Sequence, residues 1–284
     1  MRFTKMHGLG NDFVCVNCFE EEITLDPGRI AELVCHRHFG IGADGLLLIR
    51  GSDVADFRMD LYNADGSRAE MCGNGIRCLA KYVYDHGLTN MQSITVETLA
   101  GIKSLNLSVK DDKCRLVSVD LGKAVLNSNG VTRPLNGEDY DSLAVSEVLE
   151  TVNISGKDVR FVVLDNGVPH AVLFVAKADE APVLTSGPVI ECHSRFLSRT
   201  NVDFAEVADR THIRLRVWER GCGETMACGT GAAAAVTAAV LLGLCDRSVD
   251  VRLPGGTLNI TVEENGSITV CGPATEVYSG EFNI

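Results

Sequence analysis

The strongest constraint on the fold is that the chain contains itself twice. Cys72-Gly73-Asn74-Gly75 and Cys228-Gly229-Thr230-Gly231 share the pattern Cys-Gly-x-Gly at an offset of 156 (228 − 72). The match extends on both sides. "FRMDLYNADGSRAEMCGNG" begins at Phe57, and "IRLRVWERGCGETMACGTG" begins at Ile213. Each opens with alternating apolar residues, which predicts a strand. Each continues through a polar turn containing glycine to the cysteine phrase, and then to a helix-like run, "IRCLAKYVYDHGL" or "AAAAVTAAVLLGL". "CHRHFG" at Cys35 pairs with "CHSRFL" at Cys192, and "TVETLAGIKSLNLSV" resembles "DVRLPGGTLNITV". Landmarks in a common order imply an internal duplication into two drifted domains rather than a solenoid.

Within each half the pattern predicts short alternating strands and one or two helices. "FVCVNCF", "LLLIR", "FRMDLY", "SITVET", "SLNLSV" and "CRLVSVD" read as strands of the first half. The run "ACGTGAAAAVTAAVLLGLC" at 227–245 carries no charge and approaches membrane-span length. Its first part is alanine, glycine and threonine, which gain little on transfer to lipid. It is expected to be a helix buried on all sides in a water-soluble protein, wrapped by a curved sheet. The halves are expected as 1–125 and 126–272, with 273–284 a C-terminal strand returning toward the first. The polar stretch "NGEDYDSLAVSEVLETVNISGKD" before Phe161 is expected to connect them.

Charge and cysteine usage narrow the function classes. Twenty-six basic against 38 acidic residues give a net charge of −12, with no basic run, which argues against nucleic acid as a partner. The 11 cysteines are odd in number and scattered. That pattern predicts reduced thiols, not a secreted disulfide framework. Most, such as Cys15, Cys114 and Cys271, read as small buried hydrophobes. "MRFTKMHGLGNDF" shows no leader-like apolar segment, so a cytoplasmic location is expected.

The paired phrase suits proton chemistry. A helix start offers unpaired N–H groups and a positive dipole end, lowers thiol pKa values and accepts a carboxylate. Two such helices would grip one carboxylate and set a sulfur on each face of the adjoining carbon. One thiolate would remove the α-proton and the opposing thiol would return one. This design requires no cofactor. Other readings stay open: zinc on Cys72, Cys78, Cys222 and Cys228, although neither pair is CxxC; a disulfide; buried structural thiols; or a single Cys nucleophile with His170.

The phrases "FTKMHGLGNDF", "YNADGS", "MCGNGIRC", "VPHAV", "RTNVDF", "RLRVWERGCGET", "ACGTGA" and "LPGGTL" span the chain. Together they resemble the diaminopimelate epimerase family. That resemblance implies a duplicated two-domain α/β fold, each domain a β-barrel-like curved sheet around a central helix, with the active site in the interdomain cleft. It implies epimerisation of LL-2,6-diaminopimelate to the meso form without pyridoxal phosphate or another cofactor, in lysine and peptidoglycan precursor synthesis. No metal and no membrane are involved, and a homodimer is open. The catalytic pair would be Cys72 and Cys228. Asn11 would contact substrate. Asn63, Asn201 and Arg220 would hold the distal amino-acid end, and Glu219 would accept from an ammonium. His170 would orient or tune the reacting groups. Backbone N–H groups of Gly73, Asn74, Gly229 and Thr230 would take the reacting carboxylate.

Plainer roles compete. Asn63 before "ADGS" and Asn11 suit turns. His170 suits a satisfied core histidine, and Glu219 with Arg220 a surface ion pair. His36, His38 and His193 read as structural. The chain also departs from the family pattern. Val168 stands where many members have asparagine, Gly45 where some have glutamine, and Cys222 adds a thiol beside "WERG". Rival readings are a cofactor-independent racemase of proline, hydroxyproline or histidine, which needs no distal clamp, and a phenazine-pathway isomerase, which lacks the cysteine pair. A non-enzymatic amino-acid binder would have no use for two thiols.

Overall fold

A computed structural model describes residues 1–283. The chain divides into two compact units. Unit 1 is Met1–Val119 together with the segment from Cys271 onward, and unit 2 is Asp120–Val270. The polar stretch expected to connect the halves lies inside unit 2. It forms two single-turn helices, Asp139–Ser142 and Val145–Val148, and the strand Leu149–Ile154. Its turn-rich composition concealed a strand that pairs with Lys157–Asp165.

In unit 1, Arg2–Gly8 pairs antiparallel with Asn11–Asn17 and, on its other side, with Thr275–Glu281. The C-terminal segment thus completes the sheet of the N-terminal unit. Helix α1 (Pro27–Cys35) then crosses to Gly45–Arg50, parallel to Asn11–Asn17. Asp26 caps α1 by accepting from Arg29 N, and Pro27 takes the first helical position, where its missing N–H costs nothing. Phe57–Asn63 follows antiparallel. Helix α2 (Gly73–Asp85) leads to Ser93–Thr98, parallel to Phe57–Asn63, and Gly101–Lys110 folds back on it.

Unit 2 repeats this order. Lys157–Asp165 and Pro169–Phe174 form the opening antiparallel pair. Helix α3 (Val183–Glu191) crosses to the parallel strand Asn201–Asp209, and His212–Glu219 returns antiparallel. Helix α4 (Gly229–Leu241) leads to the parallel strand Ser248–Leu253, then to antiparallel Gly256–Val262. The bounds of α1 and α3, and of α2 and α4, are each offset by 156 at both ends. The cysteine landmarks 157 apart differ by one because Cys35 ends its helix while Cys192 caps the other.

Each cysteine-led helix is ringed by strands of its own unit. Helix α2 packs against Arg2–Gly8, Asn11–Asn17, Gly45–Arg50, Phe57–Asn63, Gly101–Lys110 and Thr275–Glu281. Helix α4 packs against strands from Lys157–Asp165 to Gly256–Val262. Every residue of α4 from Gly231 to Leu241 is buried. Its alanines let the sheet approach closely, while Val236, Val240 and Leu241 each contribute about 1.5–3 kcal/mol by leaving water. The apolar run is therefore a core helix of 13 residues. Among the described residues no helix is long and apolar enough to cross a membrane.

Candidate active site

Both cysteines occupy the N-cap, the residue before the first helical turn. Cys72 has φ −143° and ψ 116°, and Cys228 has φ −125° and ψ 108°. In this extended conformation the side chain turns back over the helix start. Cys72 Sγ accepts from Gly75 N at 3.4 Å, and Cys228 Sγ accepts from Gly231 N at 3.3 Å. The first intrahelical bonds run from Ile76 N to Cys72 O and from Ala232 N to Cys228 O. A sulfur thus holds the place usually given to a serine or aspartate oxygen, directly in the positive end of the dipole.

In unit 1 the thiol belongs to a chain of amides. Cys72 Sγ donates to Asn11 Oδ1 at 3.6 Å, and Asn74 Nδ2 donates to the same oxygen at 3.1 Å. Asn11 Nδ2 donates to Asp44 Oδ2 at 2.8 Å. Asp44 is held by Arg37 at 2.7 Å, which also grips Asp12. Asn11 is therefore fixed at both ends and is no ordinary turn residue. Asn63 makes its bonds elsewhere. Its Nδ2 donates to Ser67 Oγ at 2.9 Å and its N to Ser67 O, which closes the "ADGS" turn. At Gly45 an added Cβ would meet Tyr62 O at 2.8 Å, so the backbone passes too close here for a larger residue without a shift.

In unit 2 the thiol sits among acids. Cys228 is buried, and burial first, then the nearby Glu219 and Asp203 carboxylates, push its pKa well above the ordinary thiol value. Contacts from Thr230 Oγ1, at 3.4 Å, and Gly231 N oppose this without reversing it. Glu219 is raised too, chiefly by burial, although the Thr225 hydroxyl donates to it. His170 is fully buried, its Nδ1 2.7 Å from Asp203 Oδ2. A carboxylate accepts, so Nδ1 carries the proton and Nε2 is left as acceptor for Asn201 Nδ2 at 3.4 Å. Asn201 Oδ1 in turn accepts from Arg220 N at 2.8 Å. The Arg220 side chain is exposed and donates from Nη1 to Ser198 O at 2.9 Å. Among the described residues it forms no ion pair with Glu219, so the surface-pair reading of "WERG" does not describe this turn. Neither Gly229 N nor Thr230 N donates to another protein atom among the described residues, which leaves both N–H groups for a ligand oxygen.

Four contributors escape a motif reading. Asp203 orients His170, and it occupies the place 156 positions after Leu47, a carboxylate where the copy has a hydrocarbon. Glu191, at the end of α3, accepts from Trp218 Nε1 at 2.7 Å and Gly221 N at 3.1 Å and so shapes the "WERG" turn. Asn166 Nδ2 donates to Thr230 O at 3.1 Å, and its buried Oδ1 has no partner among the described residues. It stands two residues before Val168, where the asparagine of the pattern is absent. Arg77 lies fully buried behind the first turn of α2.

The fold is shared with solved structures named as a racemase, an epimerase and a phenazine biosynthesis protein. A probable proline racemase from Agrobacterium radiobacter superposes with a TM-score of 0.73 at 13% identity, covering 100% of this chain and 93% of that one. A hydroxyproline epimerase from Agrobacterium vitis gives 0.71 at 14% identity, covering 99% and 91%. A phenazine biosynthesis protein of the PhzF family from Bacillus anthracis also gives 0.71, at 17% identity, covering 100% and 99%. Sequence is more discriminating. The profile described as diaminopimelate epimerase matches residues 3–127 and 162–277. A diaminopimelate epimerase of Acetivibrio thermocellus is 49% identical over 100% of this chain and 99% of its own length. One from Methanococcus maripaludis strain S2 is 46% identical over 100% of both chains. The chain belongs to the diaminopimelate epimerase family, whose members are isomerases acting on an amino acid.

Proposed function

We propose that this protein epimerises LL-2,6-diaminopimelate to the meso form with Cys72 and Cys228 as the acid–base pair. The observation that supports it most is the duplicated N-cap: one sulfur on the first turn of α2 and one on the first turn of α4, in a chain of this family. In the free protein Cys228 starts as the thiol, because burial, Glu219 and Asp203 all disfavour its anion. Cys72 is the base in this direction and acts as the thiolate once the proton it shares with Asn11 Oδ1 has left. It takes the α-proton, and the C–H electron pair moves onto the α-carbon. Cys228 then delivers its proton to the opposite face, and its S–H pair stays on sulfur. No net oxidation occurs, and reversal of substrate handedness exchanges the roles. N–H groups of Gly73, Asn74, Gly229 and Thr230 stabilise the charge that develops on the reacting carboxylate.

The distal end of the substrate carries a second ammonium and carboxylate. Arg220 forks onto the carboxylate, while Asn63 and Asn201 supply amide donors and acceptors. Asn63 must exchange its turn bond to Ser67 for this contact. Asn166 Oδ1 is a ready acceptor for the ammonium at the reacting end, and Asn11 sits beside Cys72 for the same purpose.

The test is solvent deuterium exchange with LL-diaminopimelate and reduced protein, followed by NMR and chiral analysis. Deuterium enters one α-carbon as the meso form accumulates. Cys72→Ala and Cys228→Ala each abolish net epimerisation, whereas Arg220→Ala chiefly raises KM. Absence of exchange with fully reduced wild-type protein would reject the assignment.

A further inference from the structure

One buried pair of side chains has no role in the chemistry above. His170 and Asp203 are both fully shielded from water, and Nδ1 of the ring lies 2.7 Å from Asp203 Oδ2. The other carboxylate oxygen, Oδ1, is buried with no hydrogen-bond partner among the described residues. A Cβ added at Gly231 would lie 2.5 Å from it. The carboxylate therefore rests against the first turn of α4, where the dipole favours negative charge. A carboxylate buried with only one oxygen bonded is still costly. The duplicated fold does not need it. Unit 1 keeps the same ladder with Phe13 opposite Gly45 and Leu47 two residues on, where unit 2 has His170, Asn201 and Asp203.

We propose that Asp203 is the positioning residue of the distal clamp: through His170 it fixes which way the Asn201 amide points, and with it the turn that carries Arg220. The inference rests on the reading of Asn201 and Arg220 as that clamp. Each hydrogen bond in the series has one possible direction. Arg220 N can only donate, so the atom 2.8 Å from it is Asn201 Oδ1. Asn201 Nδ2 therefore faces His170 Nε2, at 3.4 Å, and that nitrogen is the acceptor. The ring is then neutral with its proton on Nδ1, and a carboxylate, which only accepts, holds the proton there. Tautomer and amide thus lock one another, and Asn201 keeps one N–H of its Nδ2 for a ligand. With the proton on Nε2 instead, two donors would meet at Asn201. The amide would turn over, Nδ2 would face the Arg220 N–H, and the turn would lose its staple. Asp203 Oδ2 is the group that forbids this state. The same two loops also meet directly, since Arg220 Nη1 donates to Ser198 O at 2.9 Å.

The experiment is a long-range proton–nitrogen NMR spectrum of the isotope-labelled full chain at neutral pH without substrate, together with steady-state kinetics. The His170 ring is assigned by its loss in His170→Gln. In wild type His170 is neutral and carries its proton on Nδ1. Asp203→Asn keeps the shape but can donate as well as accept, so the Nε2–H form appears. KM for LL-diaminopimelate then rises about tenfold, the worth of one well-placed hydrogen bond, while kcat falls less. Wild-type protein with a proton on His170 Nε2 overturns the proposal, and that measurement needs no variant to fold. So does a folded Asp203→Asn protein that is merely less stable, with the His170 tautomer unchanged, or one whose tautomer changes while KM does not. Because the spectrum uses no substrate, failure here is separable from failure of the deuterium experiment.

Discussion

Glycines 75 and 231 are equivalent in the duplication and should respond oppositely to alanine. At Gly231 an added Cβ lies 2.5 Å from Asp203 Oδ1 and 3.3 Å from both Cys228 Sγ and Val217 Cγ2. A carbon–oxygen contact is comfortable at about 3.3 Å. The carboxylate must therefore retreat by roughly 0.8 Å, while His170 holds it at 2.7 Å through its other oxygen. Overpacking of this size costs about 1–3 kcal/mol. Weakening a buried bond to a charged group adds about 1 kcal/mol or more, and the helix preference for alanine returns up to about 1 kcal/mol. The net expectation for Gly231→Ala is a loss of about 2 kcal/mol. At Gly75 the nearest atoms are Leu47 Cδ1 at 3.4 Å, Cys72 Cβ at 3.6 Å and Phe13 Cζ at 3.6 Å. These are ordinary contacts, so Gly75→Ala is neutral or slightly stabilising. Urea titration of both variants under reductant reads the stability difference. Activity reads the imidazole, because a shift of this order at a reacting group costs about a hundredfold in rate. Equal stability of the two variants, or full activity of Gly231→Ala, would refute the close approach of Asp203 to the helix start.

Three further outcomes are expected. For Asp12, burial works against ionisation, yet hydrogen bonds and charges from Arg37 and Lys5 prevail and bring its pKa to about 2. Its stabilisation is present above the unfolded value near 4 and is lost as pH falls from about 4 to 2. Asp12→Asn should therefore be less stable at pH 7, and the gap should close at pH 2 by urea titration. Burial raises Cys78 to about 12, so its contribution is complete below about 8.5 and declines as pH rises toward 12; Cys78→Ala should flatten that alkaline decline by about 1.4 kcal/mol per pH unit. Glu191→Ala leaves Trp218 Nε1 and Gly221 N without their acceptor; it should cost about 1–3 kcal/mol and raise KM for diaminopimelate more than it lowers kcat.

Much of the architecture was legible because periodicity reports it. The strands read at Phe57, Ser93 and Ser104 appear as Phe57–Asn63, Ser93–Thr98 and part of Gly101–Lys110. The 156-residue offset anticipated helices whose ends coincide under the same shift. Helix starts were legible as well, since glycine after cysteine before an apolar run marks them. What escaped was tertiary. The strand Leu149–Ile154 hides in a sequence rich in turn formers, and pairing with Lys157–Asp165 overrides that local preference. Asp203 reads as a polar residue in an alternating strand, and only the partner across the sheet shows that it faces inward. Arg77 reads as the solvent face of an amphipathic helix; nothing local reveals that Asn74, Gly73 and Pro273 enclose it.

The duplication itself shows where this information could have been found. Each unit places the same ladder beneath its cysteine: Phe13 opposite Gly45 in one, His170 opposite Asn201 in the other. Two residues along lie Leu47 and Asp203, and on the helix Arg77 and Ala233. A scaffold that must only bury apolar surface has no reason to exchange leucine for a buried aspartate, or alanine for a buried arginine, since both exchanges oppose burial. They are tolerated because each new charge or polar group meets a partner: Asp203 meets His170, and Arg77 meets the amides in front of Cys72. Sites where one copy is hydrocarbon and the other ionisable are therefore where the two units ceased to be interchangeable. Those exchanges lie close to the two helix starts, and the one beside Cys228 opposes an anion on its sulfur. A two-base reaction needs one thiolate and one thiol at the same moment, and unequal surroundings assign the proton to one sulfur where an identical pair would share it by mutual repulsion alone.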